Sequence, residues 1–154
     1  MKQGDILLTY HKLDPLAWVI AYLSNGQFNH VLWAVNDHEL IESVGKGIVI
    51  SPLTKYLNWE YNLKLIRLKG LSQSKIELIT KRLLAQQCNN FYLKYLMDYI
   101  IMIITRKPCR TTCSNFISYE LIKEGYYINK KHFKFIVPED FNVWKEADDV
   151  TNEL

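Results

Sequence analysis

The chain has 154 residues, 19 Lys+Arg against 16 Asp+Glu for a net charge of +3, and 49% hydrophobic residues with only 6 Gly and 4 Pro. That length suits one core, and the composition excludes a disordered tail, a collagen-like repeat and a low-complexity fibre. The positive excess is too mild to require an anionic partner.

In chain order, the first residues, MKQGDILLTY, have no apolar run of signal-peptide length and no small-residue cleavage site after them, so export by that route is not expected. Residues 5–10 (DILLTY) read as a strand. Asp14-Pro15 pairs a capping residue with the residue preferred in a first turn, and opens a helix over Leu16 to Leu23 that Ser24-Asn25-Gly26 ends. His30 to Val35 is apolar on both alternating faces, as a strand buried on both sides is. After the Asn36-Asp37 turn come strands at Glu39 to Ser43 and Ile48 to Ile50, with Gly45-Lys46-Gly47 reversing the chain between them. Ser51-Pro52 reads as the cap of a short helix (LTKYL), and Tyr61 to Leu68 alternates as a half-buried strand.

The second half changes period. Ser72 is placed to cap a helix through about Gln87, with Ile76, Ile79, Leu83 and Ala85 as its apolar stripe. A second helix is expected from about Tyr92 to Ile104; its most apolar part, Tyr99 to Ile104, is far short of the roughly 20 residues of a bilayer span. A third begins at or next to Cys113 after the loop Thr105 to Thr112, keeps Phe116, Ile117, Tyr119 and Leu121 in register, and stops at Gly125. Phe133 to Val137 suggests a final strand, and Glu146 to Leu154 a frayed polar tail. The expected organisation is one α+β domain over residues 1–145 followed by the tail 146–154.

Three cysteines, Cys88, Cys109 and Cys113, cannot all pair within one chain, which favours a reducing, cytoplasmic setting and leaves a thiol for chemistry. A free cysteine can be no more than a small buried hydrophobe. Cys113, however, sits where unpaired backbone N–H groups and the positive end of a helix dipole favour thiolate, with Thr111 and Thr112 as caps. Cys109 follows Pro108 inside a loop, and Cys88 lies at a helix end where the dipole opposes a thiolate. A cysteine nucleophile needs an imidazole to hold and deliver its proton. Of the 4 histidines, His30 starts a strand among apolar neighbours. His38 and His132 stand beside polar sequence, and His11 is placed either exposed or at a cleft rim. Glu42, on the next strand, can orient the second ring nitrogen, while alternation puts Glu39 on the opposite face.

Taken together, several short segments resemble the circularly permuted papain-like proteins of the NlpC/P60 superfamily, in particular the YiiX/YebB-like amidase group. They are Gly4-Asp5-Ile6-Leu7, Phe28-Asn29-His30-Val31, Glu42-Ser43, Gly47-Ile48-Val49, Ser51-Pro52-Leu53, Asn90-Phe91-Tyr92, Cys113-Ser114 and Pro138-Glu139-Asp140-Phe141. The resemblance implies an antiparallel sheet packed against helices, one of which carries the nucleophile, with His30 as general base, Glu42 as orienting residue and Cys113 as nucleophile. Two departures stand out: His30-Val31-Leu32-Trp33 replaces the usual His-Val-Gly-Ile, putting bulk near the expected cleft, and Tyr92-Leu93 replaces a Tyr-Asp pair. The second oxyanion donor has no candidate.

The expected function is a cysteine-dependent amidase or peptidase acting on a small peptide-like or cell-wall-derived amide through an acyl-enzyme. The alternatives are a lipid acyltransferase, phospholipase or thioesterase with the same Cys-His site, and a non-catalytic papain-like binding domain. No cofactor is expected. Cys109-x₃-Cys113 with distant histidines is a poor zinc spacing. Nucleic acid is disfavoured because 16 acidic residues offset the basic clusters around Arg106 and Lys130. Gly45-Lys46-Gly47 lacks both the glycines and the helix of a phosphate-binding loop.

Overall fold

A computed structural model describes residues 1–45, 47–87, 112–130 and 136–154. Strands β1 (Ile6–His11), β2 (His30–Ala34), β3 (Glu39–Val44), β4 (Gly47–Pro52), β5 (Tyr61–Leu68) and β6 (Ala147–Asp149) form one sheet in the order β4-β3-β2-β1-β5-β6, each neighbour antiparallel. Among the described residues four α-helices accompany it: α1 (Pro15–Leu23), α2 (Gln73–Leu84), α3 (Cys113–Lys123) and the short α4 (Pro138–Asn142). The fold class is therefore α+β, an antiparallel sheet packed against helices. Among the described residues no helix is long and apolar enough to cross a membrane.

The period-two pattern sorts side chains onto two faces. Ile6 and Leu8 of β1, Val31 and Trp33 of β2, Ile41 of β3 and Ile66 and Leu68 of β5 join Ile79 and Leu83 of α2 and Phe116, Ile117 and Leu121 of α3 in the main core. The intervening residues, Leu7, Leu32, Ala34, Leu40 and Leu65, form a second cluster on the other face, covered by Leu53 and Tyr56. Truncating a side chain of either layer to Ala is expected to cost about 2–5 kcal/mol. Leu32 and Trp33, expected near the cleft, are fully buried in the two layers instead, and the Trp33 indole donates to Thr80 Oγ1 at 3.0 Å. Their bulk fills core volume because strand interiors, unlike strand ends, point into packed layers.

Other expectations shift by local chemistry. Asp14 caps α1 by accepting from the Leu16 N–H at 2.9 Å, and Asn25 takes the left-handed turn after the helix with φ +50°. Gly26 serves close approach: a Cβ there would lie 2.7 Å from the Glu139 side chain. Ser51 does not cap the segment after β4, which is a single 3-10 turn, Leu53–Lys55, with Pro52 at its cap position. Ser72 occupies the N-cap position of α2, yet its hydroxyl faces Ser74 rather than the backbone. That helix ends at Leu84, so Ala85 is exposed rather than part of the stripe. In α3, Tyr119 is 41% exposed whereas Phe116, Ile117 and Leu121 are buried, because about 100° of rotation per residue sets Tyr119 roughly 160° around the axis from Ile117 and Leu121. Ile136 and Val137 form no strand and lead directly into α4. The expected helix at Tyr92 to Ile104, the loop before Thr112, the Asn90-Phe91-Tyr92 segment, Cys88, Cys109, His132 and Phe133 lie outside the described residues.

The end of the chain is the largest difference. Residues 147–149 are not frayed but pair with β5, Ile66 opposite Asp149 and Leu68 opposite Ala147. Their polar composition hides them from a hydrophobic pattern, since an edge strand needs only backbone pairing on one side. A partly buried ion-pair network ties the region down: the Arg67 guanidinium reaches Asp5 through Nε at 2.7 Å and Nη2 at 2.9 Å, and Glu153 through Nη1 at 2.7 Å. Asp5 is 1% exposed, so losing the guanidinium leaves a buried carboxylate without its counter-charge, with the Lys2 N–H still donating to it at 2.6 Å. Arg67→Met is expected to cost about 2–3 kcal/mol of unfolding free energy, measured by urea denaturation; a loss under about 0.5 kcal/mol would show that this pair does not anchor the edge.

Candidate active site

The site is assembled where two strands part. Pairing between β2 and β3 runs through Ala34↔Leu40 and Trp33↔Ile41 and goes no further toward the start of β2. The Val35 N–H donates to Glu39, so alternation turns the Trp33 and Val31 N–H groups toward the same side. Beyond Trp33 no β3 partner meets them, and the start of α3 comes in there, lying against β2 and β3.

Helix α3 begins at Cys113 because Thr112 caps it, the threonine hydroxyl accepting from the Asn115 N–H at 3.2 Å. Phe116, Ile117 and Leu121 press one face into the core, which drives the first turn against the sheet. Cys113 is 9% exposed. Its sulfur lies within the electrostatic reach of the His30 ring and of the Val31 and Ser114 backbone N–H groups, each of which favours its ionised form.

His30 opens β2, held by the bond from Asn29 N–H to Thr9 C=O at 3.1 Å and by the preceding loop, whose Gln27 N–H donates to Glu139 at 2.7 Å. It shares a face with Leu32 and Ala34. The register Ala34↔Leu40 puts Glu42 on that same face, and the two side chains meet, His30 Nε2 lying 2.7 Å from Glu42 Oε2. The other ring nitrogen, Nδ1, is thereby left for Cys113. Glu39 points away, its carboxylate accepting from the Asn36 side chain at 2.7 Å. His11 pairs with Glu60 at 3.5 Å and His38 is an exposed neighbour of Asp37. The structure thus brings Cys113, His30 and Glu42 together and leaves the rival described residues apart.

Three residues meet Glu42 to which the sequence reading gave no role at the site. Glu42 Oε1 accepts from Ser51 Oγ at 2.5 Å, from Tyr56 Oη at 2.7 Å and from Lys55 Nζ at 2.9 Å. Ser51 pairs with Leu40, so the hairpin register already puts its side chain on the Glu42 face. Lys55 and Tyr56 arrive through the 3-10 turn, which no periodicity announces.

Electrostatics follow from this packing. Burial pushes the Glu42 carboxyl up, but the bonds from His30, Ser51 and Tyr56 outweigh it and hold the group far below the usual carboxylate range. Burial and the adjacent Glu42 carboxylate push the Tyr56 hydroxyl well above the usual tyrosine range, so it remains a donor. Burial alone would lower His30; the Cys113 sulfur and the Glu42 carboxylate overcome it and raise the imidazole to about 10. Burial alone would raise Cys113; the His30 imidazolium and the two backbone N–H groups bring it below an ordinary thiol. The two directions together favour the imidazolium–thiolate form of the pair over the neutral one.

A groove of about 560 Å³ is lined by Phe28, Leu57, Tyr61 and Leu63 among others and includes none of Cys113, His30 and Glu42. Its Tyr61 ring packs edge-on against that of Tyr56, with centroids 5.2 Å apart. No group of three or more His, Cys, Asp or Glu among the described residues is arranged to hold a metal ion. The chain matches no family model and no curated protein.

The ion pair makes a pH-dependent prediction. Because Cys113 is lowered and His30 raised, the imidazolium–thiolate form spans the range from below the ordinary thiol value of about 8.5 up to His30's release of its proton. Iodoacetamide should alkylate Cys113 at pH ~7 at least about tenfold faster than in His30→Ala, where burial without the imidazolium lifts the midpoint above about 8.5. Equal rates in the two proteins, read by peptide mass mapping, would break the Cys113–His30 link.

Proposed function

We propose that this chain is a cysteine hydrolase of the permuted papain-like kind, acting on small peptide-like or cell-wall-derived amides. One observation carries the reading: a thiol at the start of a helix is electrostatically coupled to an imidazole whose Nε2 rests on a buried carboxylate 2.7 Å away. That order of groups suits acyl transfer.

In this mechanism Cys113 Sγ attacks the carbonyl carbon, forming a C–S bond as the carbonyl π pair moves onto oxygen. The Cys113 backbone N–H, which has no acceptor within the helix because it belongs to the first turn, faces the resulting oxyanion. The tetrahedral intermediate collapses, the C–N bond breaks, and the His30 imidazolium gives its proton to the departing amine. A water then loses a proton to His30 and attacks the thioester, releasing the acid and returning the thiolate with the imidazolium. Glu42 keeps the ring oriented and its charge balanced throughout.

The choice of amides rests on two arguments. An acid already charged before the reaction is suited to a poor leaving group such as an amine. The motif resemblance described above also runs to amidases. Three cysteines without a disulfide framework fit a reducing cytoplasmic setting.

The test is an acyl-enzyme trap. The protein and Cys113→Ala are incubated with matched panels of short peptides, cell-wall fragments, phospholipids and acyl thioesters, and intact masses and products are read. Peptide or cell-wall amide turnover that is lost by at least about 10³-fold in Cys113→Ala is expected. A Cys113-dependent fatty-acyl adduct without amide turnover would reassign the chain to lipid acyl chemistry, and neither adduct nor turnover would make it a binding domain.

A further inference from the structure

Glu42 presents only one of its two oxygens to the imidazole. The other accepts from three donors, two of which, the Ser51 and Tyr56 hydroxyls, are neutral. The third is the Lys55 ammonium at 2.9 Å. What it adds is charge.

We propose that Lys55 is a positioning residue of this site, the outer cation of an alternating chain Lys55–Glu42–His30–Cys113, and that its ammonium sets the pH range over which Cys113 is a thiolate. The proposal rests on the thiolate–imidazolium reading of the site. Without Lys55, the carboxylate, imidazolium and thiolate sum to one negative charge in a pocket where Glu42 is 1% and His30 17% exposed. With it, the four charges sum to zero. A buried net charge is relieved at least cost by taking up a proton, and the thiolate is the most basic anion of the chain, because Glu42 is held ionised by its bonds.

The surroundings leave this role to Lys55. The groups facing Glu42 are His30 from β2, Ser51 from β4, and Lys55 and Tyr56 from the 3-10 turn and the residue after it. Tyr61 of β5 stands behind Tyr56, with the His11–Glu60 pair beyond it. Among these described groups, Lys55 is the only cation besides His30 in contact with the carboxylate. Lys55 Nζ also donates to Tyr56 Oη at 2.9 Å, which fixes the ammonium over the carboxylate although its side chain is 45% exposed. That exposure makes its field sensitive to salt, unlike the buried members of the chain.

The experiment compares the intact protein with Lys55→Met and Lys55→Arg, measuring the rate of Cys113 alkylation by iodoacetamide against pH through peptide mass mapping, at about 0.05 M and about 1 M salt. Lys55→Met removes the cation and should move the acidic limb of the profile upward by about half a pH unit, as expected for a unit charge separated from the sulfur by Glu42 and His30 across partly solvated protein. Lys55→Arg should keep the limb of the unaltered protein. The gap between Lys55→Met and the unaltered protein should narrow at high salt. Loss of a structural prop would lower the rate at every pH without moving the limb, and that outcome overturns the proposal. So does coincidence of the Lys55→Met limb with that of the unaltered protein, or an equal displacement in Lys55→Arg. If the unaltered protein itself titrates as an ordinary thiol, the thiolate reading fails and the proposal with it; if its limb is lowered and Lys55→Met leaves it there, the role of Lys55 alone fails.

Discussion

The contact between His30 and Glu42 is the interaction on which the site depends. It exists because β2 and β3 place both side chains on one face and then separate, so that the imidazole leans on the carboxylate with one nitrogen and turns the other outward. Continued pairing would have joined the Val31 N–H to a β3 carbonyl and closed the space that α3 enters. The same separation therefore supplies the base, the room for the nucleophile and one of the backbone donors to its sulfur.

A buried carboxylate and a buried thiolate are both costly to desolvate. Here each negative group is met by a cation and by neutral donors: His30, Lys55, Ser51 and Tyr56 around Glu42, and His30 with two backbone N–H groups around Cys113. The main core contributes by fixing positions rather than charges. Phe116, Ile117 and Leu121 seat α3 in the layer that holds Val31 and Trp33, and a helix seated that way cannot withdraw its first residue without uncovering apolar surface. Packing on one face of the sheet thus positions a sulfur next to a ring carried on the other.

Much of this was legible in the residues, and for reasons that can be named. Alternation at Tyr61–Leu68 predicts β5 residue for residue, and the same period-two rule separates Glu42 from Glu39 and turns it toward His30. Cap chemistry at Asp14 and Thr112 locates the starts of α1 and α3. The failures share a different cause: they concern partners that only tertiary packing supplies. Ser51 resembles a helix cap until its hydroxyl finds a buried carboxylate, Trp33 resembles a cleft residue until α2 covers it, and Ala147 to Asp149 carry no apolar pattern because an edge strand is held by backbone pairing and by Arg67. Lys55 has no sequence signal, since a lysine in a short turn is ordinarily a solvated one.

The central claim is that the proton of this site resides on His30 while the thiol is ionised. Nitrogen-15 NMR of the His30 ring across about pH 5 to 11 reads that state directly, because the imidazolium and the two neutral tautomers have separate ring-nitrogen shifts. Both nitrogens are expected to be protonated at neutral pH, with a midpoint at about 10 and most of the upward displacement lost in Cys113→Ala. A ring that is neutral at pH ~7.5 and titrates near the unperturbed value of about 6.5 would contradict it.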